Sequence, residues 1–348
     1  MSEKSNWQLF CQRLDDVLKE TLDKDIIIFG SNPGGEFVRW FYETFYHKQV
    51  TAVVDRWNLD AHYQVHHLMS LYYLWTGKAV IINTLPEDIG PEKEFNAIGE
   101  IWERTAWKKE QIVPLHKEIF EEGEASKDRY ITFYDWLEAE LSLDILTSVR
   151  RADVKGKESH GYYPTDFRMI LEAADSGIFD KDAGIMDFGC GKGAAMMALR
   201  NCGFRKIAGI EFTDSIYDIL CDNFKKSGYC VEKCTNETVH KEGLREDMFY
   251  CYSGDASVLK EELDNYQNFY FFNPFSYELT RRVLGNILDS LERKPRKMAI
   301  FYAEPMCHSL IMQSGKFELV KKIDRFLGGA TYSAYVYETE NKIFPLIF

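Results

Sequence analysis

The chain has 348 residues, a formal net charge of −13 and a sequence pI near 5.2. A composition that is 45% hydrophobic and 15% aromatic excludes a disordered chain, and the length is more than one core usually holds, which predicts two domains. The acidic balance, with no Lys/Arg block longer than a pair, argues against a nucleic-acid partner held by phosphate contacts.

In chain order, apolar spacing predicts a helix over residues 7–22, with Leu9, Phe10, Leu14, Val17 and Leu18 on one face. An apolar strand over 25–29 runs into Gly30-Ser31-Asn32-Pro33-Gly34-Gly35, followed by an amphipathic segment over 36–46. Further β-rich runs cover 51–54, ending on Asp55, and 79–82. Strand, glycine turn, helix and a strand with a terminal acid read as a βαβ unit of a parallel sheet. Residues 91–148 read as mostly helical, and a polar stretch over 151–159 sets the domain boundary, giving domains of 1–150 and 151–348.

The second half alternates again. Strands are predicted over 185–188, 207–212, 249–252, 269–272 and 298–303, with helices over 194–202, 216–227 and 278–292 between most of them. Two β-rich segments, 317–323 and 332–338, suggest a closing hairpin. The sum is seven strands with an antiparallel end: an α/β fold with a doubly wound mixed sheet, preceded by a smaller Rossmann-like α/β domain.

The turn after the strand Gly184-Ile185-Met186-Asp187 carries the strongest chemical signal. In Asp187-Phe188-Gly189-Cys190-Gly191-Lys192-Gly193, three alternate glycines let the backbone approach a ligand and feed a helix N-terminus that receives a carboxylate. A dinucleotide site shows G-x-G-x-x-G instead, to seat a pyrophosphate. The spacing here, with Asp187 in reach of an ammonium group, suits an amino-acid zwitterion. Glu211, followed by Phe212, ends the next strand, where an acid accepts from ribose hydroxyls. Gly254-Asp255-Ala256 follows a later strand and offers Asp255 to an adenine amino group.

Together these motifs make residues from about 160 to 340 resemble a class I, seven-strand, S-adenosylmethionine-dependent methyltransferase. The resemblance implies that Gly189 and Gly191, with Cys190 and Gly193 in the same loop, lie under the methionine moiety. It implies likewise that Glu211 holds the ribose and that Asp255 holds the adenine. Asn273-Pro274-Phe275 resembles the Asn-Pro-Pro-aromatic motif of amino-group methyltransferases, with one proline instead of two. There the Asn side chain and a Pro carbonyl accept from the target nitrogen and the aromatic ring stacks on the substrate. Upstream, His160-Gly161-Tyr162-Tyr163-Pro164-Thr165 is similar to segments that close over the cofactor. Tyr162 and Thr165 are expected to line the site, and His160 is a candidate general base. Glu304 and His308, after the fifth strand, are equal candidates for proton handling.

Other clusters point less far. Cys230, Cys234 and His240 lack a fourth zinc ligand at sensible spacing, so no metal is expected. His62, His66 and His67, near Asp60, are placed on one helical face, read as a surface or interface. The first half, with its G-x-x-x-G-G turn and Asp55, is similar to small Rossmann-like modules attached to some bacterial saccharide-modifying methyltransferases. A substrate-recognition role or a homodimer contact is expected of it.

The absence of a signal-peptide pattern or an apolar span, and eight cysteines without framework spacing, predict a cytoplasmic chain with reduced thiols and no membrane contact. The expected activity is methyl transfer from S-adenosylmethionine to a nitrogen or oxygen of a small-molecule or saccharide acceptor, in preference to nucleic acid. Two rivals are a nucleotide-sugar oxidoreductase or epimerase working through the first half, and a non-catalytic protein that binds S-adenosylmethionine.

Overall fold

Short β-branched runs closed by glycine turns become strands in both halves of the chain. The computed structural model describes residues 4–56, 64–86, 97–120, 129–154, 160–235, 237–238, 240–327 and 330–339. Contacts divide the chain into a unit of residues 1–142 with 326–330 and a unit of residues 143–325 with 331–348. The division falls after Ser142, ahead of the polar stretch, because the next residues are tied into the second unit. Asn223 Oδ1 accepts from the Asp144 amide and Asn223 Nδ2 donates to the Asp144 carbonyl, both at 2.9 Å. The Tyr162 hydroxyl donates to the Ile145 carbonyl at 2.7 Å.

In the first unit, β1 (Asp25–Phe29), β2 (Ala52–Asp55), β3 (Val65–His67), β4 (Ala79–Asn83) and β5 (Ile112–Val113) form a sheet of order β3-β2-β1-β4-β5. Every neighbouring pair is parallel. The helix Asn6–Leu18 is closed by a Ser5/Gln8 capping box and buries Trp7, Phe10, Leu14 and Leu18. Its rings meet Phe133 and Trp136 at centroid distances of 5.3 Å (Trp7–Phe133) and 5.5 Å (Phe10–Trp136). The stretch expected to be mostly helical contains helices Ala97–Arg104, Leu115–Ile119 and Phe133–Leu141, but also β5, whose two residues are too few to show a period. His66 and His67 lie on strand β3, not on a helical face, because they pair with Val54 and Asp55. His62 and Asp60 lie outside the described residues.

The glycine turn of this unit closes on itself. Asp55 Oδ2 accepts from the Ser31 amide at 2.7 Å and from its hydroxyl at 3.0 Å. Asn32 caps the helix Pro33–Phe45. A Cβ on Gly35 would stand 1.8 Å from the Gly30 carbonyl oxygen, so this glycine serves the packing of the helix on the turn.

The second unit holds β6 (Gly184–Phe188), β7 (Lys206–Glu211), β8 (Cys230–Thr235), β9 (Met248–Ser253), β10 (Tyr266–Phe272), β11 (Ala299–Ala303), β12 (Phe317–Leu327) and β13 (Ala330–Thr339). Their order is β12-β13-β11-β10-β6-β7-β9-β8. The pairs from β11 to β8 are parallel, and β13 runs antiparallel to β11. Among the described residues the sheet therefore has eight strands where seven are expected. The extra one, β8, reads as a loop in the sequence because only Cys234 of its six residues is buried, leaving no apolar alternation. Central strands β6, β10 and β11 are almost continuously buried, as parallel strands covered on both faces must be. Strand order reverses between β6 and β10, the topological switch point at which open α/β sheets bind ligands. Among the described residues no helix is long and apolar enough to cross a membrane.

Candidate functional site

A cavity of about 440 Å³ opens at this switch point, inside the size range of small-molecule sites. Its floor is the glycine loop after β6. The Gly189 and Cys190 amides both donate to the Ile210 carbonyl at 3.0 Å, which fastens the loop to the end of β7. Gly189 and Gly191 adopt φ of +77° and +54°, a region a side chain enters only at a cost. Space matters as much as backbone freedom. A Cβ on Gly189 would lie 2.6 Å from Pro274 Cβ, and one on Gly191 would lie 2.1 Å from the Tyr162 ring. The two glycines thus seat the acceptor-side turn and the closing segment, a use that spacing alone does not reveal.

Among the described residues four carboxylates line the cavity, on Asp187, Glu211, Asp255 and Glu304, and no Lys or Arg does. Asp187 Oδ2 is buried with no hydrogen-bond partner. Burial, with the Glu211 charge adding to it, holds the Asp187 carboxyl well above the usual range. Glu211 is also raised by burial, against the pull of the backbone amides it accepts from: Gly191 at 3.1 Å to Oε2 and Thr213 at 2.7 Å to Oε1. Asp255 Oδ1 accepts from the amide and hydroxyl of Ser257, both at 2.8 Å, while Oδ2 takes neither. Phe212 and Ala256, next to these acids, line the cavity too, as do Cys190 and the Ala194 that follows Gly193.

Residues 160–165 form one wall. Tyr162 pairs by backbone with Val149 and commits its hydroxyl to the Ile145 carbonyl, so the ring, not the hydroxyl, faces the cavity lining. Thr165 is buried and hydrogen-bonds the Tyr270 hydroxyl. The sequence reading missed Tyr270, which lies inside an apolar strand and looks there like ordinary core. It also missed Lys192. This lysine sits within the glycine loop yet is 1% exposed, turned from the cavity onto Asp144 at 2.6 Å and 5.7 Å from the centre of the Tyr162 ring.

On the acceptor side, β10 and β11 end together. Phe272 pairs with Ala303, so Asn273 and Glu304 follow as neighbours, both left-handed with φ of +36° and +50°, and both on the lining. Residues held in such conformations cluster at functional sites. Asn273 Oδ1 is buried without a partner. Phe275 is largely buried, packed in the core beside the cavity. The Pro274 carbonyl, which the resemblance assigns to the target nitrogen, already accepts from the His160 amide at 3.1 Å. His160 Nδ1 meets the Asn273 carbonyl at 2.7 Å. A carbonyl only accepts, so Nδ1 carries the proton and Nε2 of the neutral ring keeps its lone pair. His308 is elsewhere: its Nδ1 meets the Tyr337 hydroxyl at 2.8 Å and it is not on the lining, which leaves Glu304 of that pair at the site.

No family model matches the sequence, and no curated protein matches it. Solved structures align with about half of the chain. The M1A22 tRNA methyltransferase TrmK of B. subtilis aligns at 13% identity with a TM-score of 0.36, over 51% of this chain and 67% of its own. TrmN from Thermus thermophilus aligns at 14% and 0.35, over 50% and 48%. The ribosomal protein L11 methylase from Lactobacillus delbrueckii subsp. bulgaricus aligns at 9% and 0.34, over 50% and 77%.

These neighbours correct one expectation. The first is by name a tRNA methyltransferase, so the preference for a small-molecule or saccharide acceptor over nucleic acid does not stand. The physical reason is that net charge describes a whole surface and its association behaviour, not the chemistry of one cleft. Strand order, the antiparallel end and the glycine turn at the switch point give the second unit a Rossmann-like, doubly wound mixed α/β fold.

Proposed function

We propose that the second unit binds S-adenosylmethionine in this cavity and transfers its methyl group to an N–H nitrogen. The observation that carries the reading is the buried, partnerless Asp187 carboxylate oxygen beside the glycine loop. Four carboxylates on the lining repel a pyrophosphate and suit a ligand presenting an ammonium, ribose hydroxyls and an amino group. Asp187 would take the ammonium, Glu211 the ribose, and Asp255 Oδ2 the adenine amino group. Bound there, the cofactor supplies an electrophilic methyl on a sulfonium.

The chain itself supplies alignment and a proton acceptor. Asn273 Oδ1 and the Glu304 carboxylate are both acceptors, so together they orient a nitrogen by its hydrogens and point its lone pair at the methyl. His160, oriented by the Asn273 carbonyl, offers Nε2 to the departing proton.

Calorimetry with S-adenosylhomocysteine, followed by transfer of labelled methyl to bulk tRNA and to amines in parallel, tests the reading. Asn273→Ala should leave cofactor affinity nearly unchanged and lower turnover by roughly a hundredfold, the size of one lost positioning hydrogen bond and its alignment. Collapse of affinity would move Asn273 into the cofactor shell. Tight binding with every acceptor silent would favour a non-catalytic protein.

A further inference from the structure

At the β8 edge of the same sheet, away from the cavity lining, three side chains of different chemistry converge. Glu232 and Cys234 sit two apart on β8 and so share one face. His240 comes from the turn that follows, its ring held edge-on against Tyr250 of β9 at 4.5 Å. Cys234 Sγ stands 3.7 Å from His240 Nε2, and His240 Nδ1 stands 3.7 Å from Glu232 Oε1. One ligand atom from each residue lies within 4.8 Å of those from the other two. Arg245 holds the other Glu232 oxygen, Oε2, at 2.9 Å, which leaves Oε1 on the histidine side. Cys234 is 3% exposed, so the cluster is shielded from bulk solvent on its sulfur side.

We propose that Glu232, Cys234 and His240 bind a zinc ion and clip the turn carrying His240 back onto the edge strand. One ligand atom per residue within 4.8 Å of the other two is a spacing that a single metal ion can bridge, with one of the two His240 ring nitrogens as its ligand. Tetrahedral zinc, with bonds of about 2.3 Å to sulfur and 2.0–2.1 Å to nitrogen, puts those two ligand atoms about 3.6 Å apart. A thiolate with an imidazole and a carboxylate selects zinc over magnesium or calcium, which take oxygen ligands. Sequence spacing gives no sign of this set, because it offers Cys230 as the second sulfur. Glu232, unremarkable in a charged strand, completes it instead. Three protein ligands leave the fourth position to water.

Binding exchanges one proton: the Cys234 S–H bond breaks, a zinc–sulfur bond forms, and the proton leaves to solvent. Because the thiol must give up its proton, zinc affinity rises with pH.

The full-length protein, stripped with a chelator and titrated with cobalt(II), tests the site directly. One equivalent should produce a sulfur-to-cobalt charge-transfer band in the near ultraviolet, which zinc then abolishes. Cys234→Ser and His240→Gln should lose the band, and Glu232→Gln should weaken binding at least about tenfold. Cys230→Ser, which removes the exposed cysteine of the same strand, should keep it. Zinc should raise the unfolding temperature of the wild type and not that of His240→Gln. No band in the wild type, a band that survives in Cys234→Ser, or one lost in Cys230→Ser overturns the proposal. If Cys234→Ser does not fold, His240→Gln decides, with circular dichroism showing that its fold is intact. S-adenosylhomocysteine affinity, measured alongside, stands or falls independently.

Discussion

Asp187 is a carboxyl that the folded chain keeps protonated after the unfolded chain has ionised it. Burial and the Glu211 charge raise its folded value above the ordinary 3.8, so across that window the folded state binds more protons. The stability of the ligand-free protein is therefore full below the unfolded value and falls as pH rises toward the folded one. An ammonium group brought against Asp187 reverses this preference. Cofactor affinity should then rise with pH through the same window, and Asp187→Asn should flatten the rise. Calorimetry at several pH values measures it; an equal slope in the Asn variant would remove Asp187 from the site. Glu211→Gln should cost about 1.5–3 kcal/mol of cofactor affinity, the scale of charge-assisted hydrogen bonds. A loss below about half a kcal/mol would place the ribose elsewhere.

These acids, with Asp255, are legible in the sequence because each follows an apolar run at a strand tip. The left-handed backbone at Asn273 and Glu304 is not, since the identity of either residue permits that conformation without requiring it.

At the scale of elements, the loop after β6 works as a seat for its neighbours. Gly191→Ala brings a Cβ into the Tyr162 ring and strains a positive φ, the latter alone at about 1–2 kcal/mol. Cofactor affinity should fall at least about tenfold, a loss near that same strain energy. Part of that loss should return in the Tyr162→Ala background, where the clash is gone. A loss identical in both backgrounds would mean that the glycine serves the ligand and not the tyrosine.

Lys192 anchors the same loop from behind, through Asp144 and, by its carbonyl, through Asn223 Nδ2 at 3.0 Å. Asp144 is partly exposed, with 42% of its side-chain surface open. In Lys192→Met it can hydrate, and the expected destabilisation is a modest 1–2 kcal/mol or about that. Urea unfolding checks it, and an unchanged midpoint would dismiss the anchor. Periodicity located this loop and its strands but passed over β3, β5 and β8. The first two are too short to show a period, and β8 is an edge strand with only one buried residue.

Over the whole molecule, a parallel sheet and a mixed sheet share one design and diverge at their switch points. In the first unit the turn after β1 is closed by its own residues: Asp55 accepts from Ser31, Asn32 caps the helix, and Gly35 packs on Gly30. Its likeness to a dinucleotide turn in the sequence arises because tight packing calls for the same glycines as a ligand does. In the second unit the corresponding turn borders an acid-lined cavity, and the difference lies in what neighbouring segments place there, which a single sequence shows only at the strand tips. The most direct test is a crystal structure of the full chain with S-adenosylhomocysteine. The account predicts the ammonium on Asp187, the ribose on Glu211, the adenine amino group on Asp255 and the sulfur facing Asn273 and Glu304. Ligand density at the Gly30–Gly35 turn of the first unit, or none at the β6–β10 switch point under saturating ligand, would contradict it.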